Sequence, residues 1–182
     1  YNVAIGSLAL TANTTASNNV AGGKNSMAAN TTGTHNVAVG FNTLDTSSTA
    51  SYNIAIGSYA LDAVSTGQEN IAMGYAAGDA ITTGSKNTLL GSTAGSAVTT
   101  ASNNTAVGGD TLKATTTGAN NVAVGLAALT ANTTGSYNIA IGSYALDANT
   151  TADYNVGMGY GALGAVVTGA SNTAVGHQAL ED

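Results

Sequence analysis

Asn120 to Ser136 reads Asn-Asn-Val-Ala-Val-Gly-Leu-Ala-Ala-Leu-Thr-Ala-Asn-Thr-Thr-Gly-Ser, and this unit of 17 residues repeats along the chain. Its second place is Asn in every copy: Asn2, Asn19, Asn36, Asn53, Asn70, Asn87, Asn104, Asn121, Asn138, Asn155 and Asn172. A Gly follows four residues after each, from Gly6 and Gly23 through Gly159 to Gly176, and no copy slips by a residue. A fixed period this short specifies one structural unit stacked on itself. Counting places from Tyr1, ten units fill residues 1–170 and Ser171 to Asp182 begin an eleventh, so residues 1–182 read as a single repeat array.

Place 3 is Val, Ile or Thr in all copies, as in Val37, Ile54, Thr105 and Val122. Such β-branched residues suit a strand rather than a helix. Place 5 is apolar in ten copies, with Gly22 the exception. Side chains alternate along a strand, so places 3 and 5 share one face while Asn, Ala and Gly at places 2, 4 and 6 share the other. The expectation is that Val and Ile point into the core. A second short strand is expected around place 10, with its Leu and the Ala of place 12 pointing inward. The Gly of place 6 and the Gly or Ala of place 16 would turn the chain. The predicted fold is all-β: a parallel β-solenoid, or β-roll, of two-stranded coils of 17 residues. Stacked at about 4.8 Å, ten to eleven coils make a rod roughly 50 Å long.

Each such coil buries few sizeable groups, so packing against further chains is expected. The flat Asn/Ala/Gly face is the predicted oligomer face, formed by Asn36, Ala38, Asn53, Ala55, Asn121, Ala123 and Asn138. Leu89 replaces Ala at place 4, and copies of it are expected to meet near an oligomer axis. Gly78 and Gly95 replace the inward Leu of place 10, and Val64, Ile81 and Val98 at place 13 are expected to refill the core there. No polar terminal cap is evident, which points to neighbouring domains or end-to-end stacking. Tyr1 already occupies the first repeat place, so the chain reads as a segment of a longer fibre.

Composition excludes several classes. The net charge is −6, from nine acids against three Lys, which disfavours nucleic acid as a partner. No apolar run approaches the length of a membrane span. There is no Cys, and the only His residues, His35 and His177, lie far apart in the stack. A thin roll also lacks the deep pocket that enzymes use. No catalytic residue and no cofactor are therefore assigned.

The motif Asn-[Val/Ile]-Ala-[Val/Ile/Met]-Gly, clear at Asn36–Gly40, Asn53–Gly57, Asn121–Gly125 and Asn138–Gly142, resembles the head repeat of trimeric autotransporter adhesins, the YadA-like head, and related repeats of bacteriophage tail fibres. That resemblance implies a left-handed β-roll, three chains around one axis, and a passive binding or spacer role on a cell surface or virion.

Outward places supply the remaining candidates. Acids gather at place 11, and the neighbouring carboxylates Asp45, Asp62 and Asp79 are the metal candidates, since hard oxygens suit Ca²⁺. The plainer reading is a solvated row that blunts aggregation. Tyr59, Tyr75, Tyr144 and Tyr160 are the candidate adhesive surface for a host glycan or protein, because a phenol combines an apolar face with a polar tip. Thr-Thr pairs at places 14 and 15 raise an ice- or surface-binding alternative. A homopolymeric extracellular filament is a further one. Asn13, Asn30, Asn103, Asn132 and Asn149 each open an Asn-x-Thr sequon. Ser51–Ala63 and Ser136–Ala148 are identical at an offset of 85 residues, five coils, which points to block duplication and selection for rod length.

Overall fold

Each repeat builds one strand, not two. In the computed structural model, which describes residues 1–181, eleven short strands pair in chain order into one parallel sheet. They run from β1 (Asn2–Ile5) and β2 (Asn19–Gly22) through β6 (Thr88–Leu90) to β11 (Thr173–Val175). The register advances by one repeat at every step, with Ala38 beside Ala55 and Ala72 beside Leu89. The described residues contain no helix, and the fold is the all-β parallel solenoid that the period of 17 demands.

Places 7 to 12 wind as consecutive turns instead of the expected second strand. Places 8 and 10 take left-handed backbone there; Leu61 and Leu129 both have φ 52°. Adjacent coils are still laddered through this segment. The Leu61 N–H donates to the Ala77 carbonyl at 3.1 Å and the Ala63 N–H to that of Asp79 at 3.0 Å. Left-handed backbone is hardest on β-branched residues. Place 10 accordingly holds Leu, Met or Gly and never Val, Ile or Thr, and at place 8 Thr93 (φ 55°) is the one β-branched residue.

The strand also faces the other way. Ala38, Ala55 and Ala123 are fully buried, whereas Val39 and Met73 are 42% exposed. Asn36, Ala38, Asn53, Ala55, Leu89, Asn121, Ala123 and Asn138 all lie inside their own chain, which corrects their assignment to an oligomer face. The cause is the narrowness of the coil. Left-handed turns swing the Leu of place 10 inward, and the gap that remains opposite it takes an Ala. Val and Ile do not fit there and are displaced outward, while the Ala of place 12, as at Ala63 and Ala131, stays half-exposed.

Leu89 fits only because two neighbours have lost their side chains. A Cβ at Gly78 would sit 2.7 Å from Leu89 Cδ1, and one at Gly95 2.9 Å from Leu89 Cδ2. Val64, Ile81 and Val98 are buried alongside, refilling the core as expected.

The Asn of place 2 is structural. Asn36 Nδ2 donates to the Ala50 carbonyl at 2.8 Å, tying the two ends of its coil together. The Asn36 backbone N–H donates to Asn19 Oδ1 at 2.9 Å, tying it to the coil before. Buried amides satisfied in this way cost little and fix the register.

Candidate interaction surfaces

Displacing Val and Ile outward gives the rod an apolar ribbon, interrupted at place 3 by Thr88, Thr105 and Thr173 and at place 5 by Gly22. Places 3 and 5 of all eleven strands line up, and the ribbon includes Val37, Val39, Ile54, Ile56, Val122, Val124, Ile139 and Ile141. In the middle of the rod these side chains are half-buried by their neighbours above and below, yet Ile139 and Ile141 each remain 37% exposed. The two columns lie about 7 Å apart along roughly 50 Å, an area on the order of 500 Å². That matches the largest apolar patch of a typical soluble monomer, and such patches often serve a function.

Aromatic columns border the ribbon. Before the strand, at place 1, His35 stacks on Tyr52 with ring centroids 5.0 Å apart, and Tyr137 on Tyr154 at 5.1 Å. Beyond the Gly turn, at places 7 and 8, Phe41 meets Tyr59 at 5.4 Å and Tyr59 meets Tyr75 at 6.0 Å. Five coils on, Tyr144 meets Tyr160 at 5.8 Å and Tyr160 stacks on His177 at 5.3 Å. The four tyrosines singled out from the sequence therefore form two separate groups. Phe41 and His177 extend those groups; the sequence signal for them was their position directly after the place-6 Gly.

Asp45, Asp62 and Asp79 stand in successive coils, as their shared place requires. Burial pushes all three carboxyls above the usual value of 3.8, and at Asp62 the charges of Asp45 and Asp79 add to the effect. Among the described residues no group of three or more His, Cys, Asp or Glu is placed to hold a metal ion. Lys113 shares their row but pairs with Asp110 instead, Nζ to Oδ1 at 2.9 Å.

Two further rows differ in what they leave free. Apart from Ser48, the hydroxyls at place 14 are committed within the rod; Thr31 Oγ1 and Thr133 Oγ1 donate to the Ser48 and Thr150 carbonyls, each at 2.9 Å. Place 15 is Thr in all ten coils, from Thr15 to Thr168, and every one of these is exposed. Of the sequon asparagines, Asn30, Asn132 and Asn149 are fully buried and closed to an attached glycan.

No helix among the described residues is long and apolar enough to cross a membrane. Compared with protein-family models, with curated proteins and with solved structures, the chain has no match in any of the three.

Proposed function

We propose that this chain is a rod segment of a structural or adhesive fibre on a cell surface or virion, and that it associates with further copies of itself through the Val/Ile ribbon. The observation that carries this reading is the column of outward Val, Ile, Leu and Met side chains, half-buried to exposed, that place 5 supplies in ten of the eleven strands and place 3 extends in eight. A single ribbon per chain is buried most simply around a rotation axis, and three copies is the number that the resemblance to adhesin heads and tail fibres implies. The work of such a rod is mechanical. It holds a tip away from a surface and presents repeated side chains, Tyr59, Tyr75, Tyr144 and Tyr160 among them, on the outside. No catalytic step is proposed for it.

Electron microscopy with an antibody against this segment tests the placement. Label along fibres projecting from cells or particles is expected. Label confined to the cell interior would overturn it, and label on free filaments of the chain alone would favour the filament reading.

The exposed threonines of place 15 favour a second reading, binding to ice or another ordered surface. They form a column one residue wide, because the neighbouring place-14 hydroxyls are already bonded. Thermal hysteresis in solutions of the chain would support that reading, and its absence would end it.

A further inference from the structure

An open notch of about 490 Å³ lies on the outer wall at the ninth to eleventh coils, lined by Tyr144, Asp147, Tyr160, Gly161, Gly164 and Glu181. Two glycines create it. Places 8 and 11 of the tenth coil carry Gly161 and Gly164, leaving a band one coil high without side chains. A Cβ at Gly161 would lie 3.5 Å from Glu181 Oε1, and one at Gly164 would lie 3.4 Å from Asp147 Oδ1 and 3.7 Å from Glu181 Cγ. The two carboxylates thus approach the gap from the coils on either side. Tyr144 and Tyr160 wall it, their rings inclined at 70°.

The same wall five coils earlier lacks this gap. Tyr59, Asp62 and Tyr75 hold the corresponding places, but Ala76 and Asp79 stand where Gly161 and Gly164 do, and Ser96 where Glu181 does. The notch is therefore particular to the tenth coil and not a consequence of the repeat.

We propose that the notch binds an organic cation, a quaternary or protonated amine, seated against the open ring surface that the Tyr144–Tyr160 pair turns to the notch, with Asp147 and Glu181 as its counter-charges. Aromatic faces attract such cations. Two like charges facing one gap repel, and burial together with the Glu181 charge pushes the Asp147 carboxyl up. A bound cation relieves both effects. The lysines lie elsewhere, Lys24, Lys86 and Lys113 belonging to the second, sixth and seventh coils, and His177, stacked on Tyr160 at 5.3 Å, makes no ion pair with either carboxylate among the described residues. A neutral sugar could stack on the rings but would leave the paired charge uncompensated. The site lies outside the Val/Ile ribbon and does not depend on self-association.

The test is an NMR titration of ring-labelled tyrosine with choline, its neutral carbon isostere 3,3-dimethylbutanol, and glucose. Choline is expected to shift the Tyr144 and Tyr160 rings saturably, and the isostere and glucose to bind about tenfold more weakly or not at all. Gly161→Leu with Gly164→Thr re-creates side chains that the rod already carries as Leu8 and Thr11, fills the gap without adding charge, and should abolish the response. Asp147→Asn with Glu181→Gln should weaken it about tenfold. This pair also serves as the check if the first variant does not fold. The proposal is overturned by no saturable shift with choline up to tens of millimolar, by equal or better binding of the isostere or glucose, or by an undiminished response in folded variants.

Discussion

Asn53 Oδ1 accepts the backbone N–H of Asn70, one coil further on, at 2.9 Å. Asn70 repeats the arrangement, donating from Nδ2 to the Gly84 carbonyl at 2.9 Å and accepting the Asn87 N–H at 3.1 Å. One side chain thus closes its own coil and fixes the next. Asn70→Ala would leave a buried N–H and a buried carbonyl without partners, at about 1–3 kcal/mol for each such group. Chemical denaturation should show a loss of roughly 2–4 kcal/mol. A loss under about 0.5 kcal/mol, the ordinary range for surface changes, would mean the ladder is incidental.

Leu89 and the two glycines facing it make a self-contained exchange. Leu89→Ala empties the space between Gly78 and Gly95, and should cost about 2–5 kcal/mol. Restoring the arrangement of the other coils takes Gly78→Leu and Gly95→Leu together with Ile81→Asn and Val98→Asn, since Ile81 and Val98 now fill the space of the missing Leu and place 13 is Asn at Asn30 and Asn132. The left-handed φ values of 59° and 60° at Gly78 and Gly95 are close to the 52° and 50° of Leu61 and Leu112. Melting of the combined variant should recover most of the loss; if it is less stable than Leu89→Ala alone, coil width does not set which face is buried.

Gly57 stacks on Gly74 with no room for a methyl group. Its φ is +122°, and a Cβ there would sit 2.5 Å from the Gly74 carbonyl oxygen. Gly57→Ala should therefore destabilise by more than about 3 kcal/mol, the sum of clash and backbone strain. Unchanged melting would contradict the close coil-to-coil contact at this turn.

Asp62 gives the rod a pH dependence of defined sign. Its carboxyl is raised in the fold by burial and then by Asp45 and Asp79. The folded chain therefore holds that proton more tightly than the unfolded one, and Asp62 lowers stability once the pH exceeds its folded value. Asp62→Asn should stabilise at neutral pH by a few tenths of a kcal/mol, the scale for partly solvated charges. The gain should vanish as the pH falls below the unfolded value of 3.8. A gain that persists unchanged in acid would show that repulsion is not its source.

The solenoid was legible because its period depends only on counting: Asn2 to Asn172 and Gly6 to Gly176 require one coil stacked on itself. Which face is inside was not. Alternation groups Val122 with Val124 and Asn121 with Ala123, and the greater hydrophobicity of Val then selects the wrong group. The deciding quantity is coil width, set by left-handed backbone at places 8 and 10. Alternation along a strand contains no record of that. The sequence did carry a trace: the one Leu at place 4, Leu89, coincides with the two glycines at place 10, Gly78 and Gly95. A contact across the coil is the simplest reason for that coincidence. Of the surface sites, the tyrosines could be named from the sequence. The notch at Tyr144 and Tyr160 depends on the absence of side chains at Gly161 and Gly164, and a periodic glycine pattern conceals such gaps.

Sedimentation equilibrium on the isolated chain, alongside an Ile54→Lys and Ile139→Lys variant, tests self-association through the ribbon most directly. A mass three times the 17.6 kDa of one chain is expected, falling to a single chain in the charged variant while the β-sheet circular dichroism is kept. A native chain that sediments as a 17.6 kDa monomer at micromolar concentration, or an assembly indifferent to the two lysines, would contradict it.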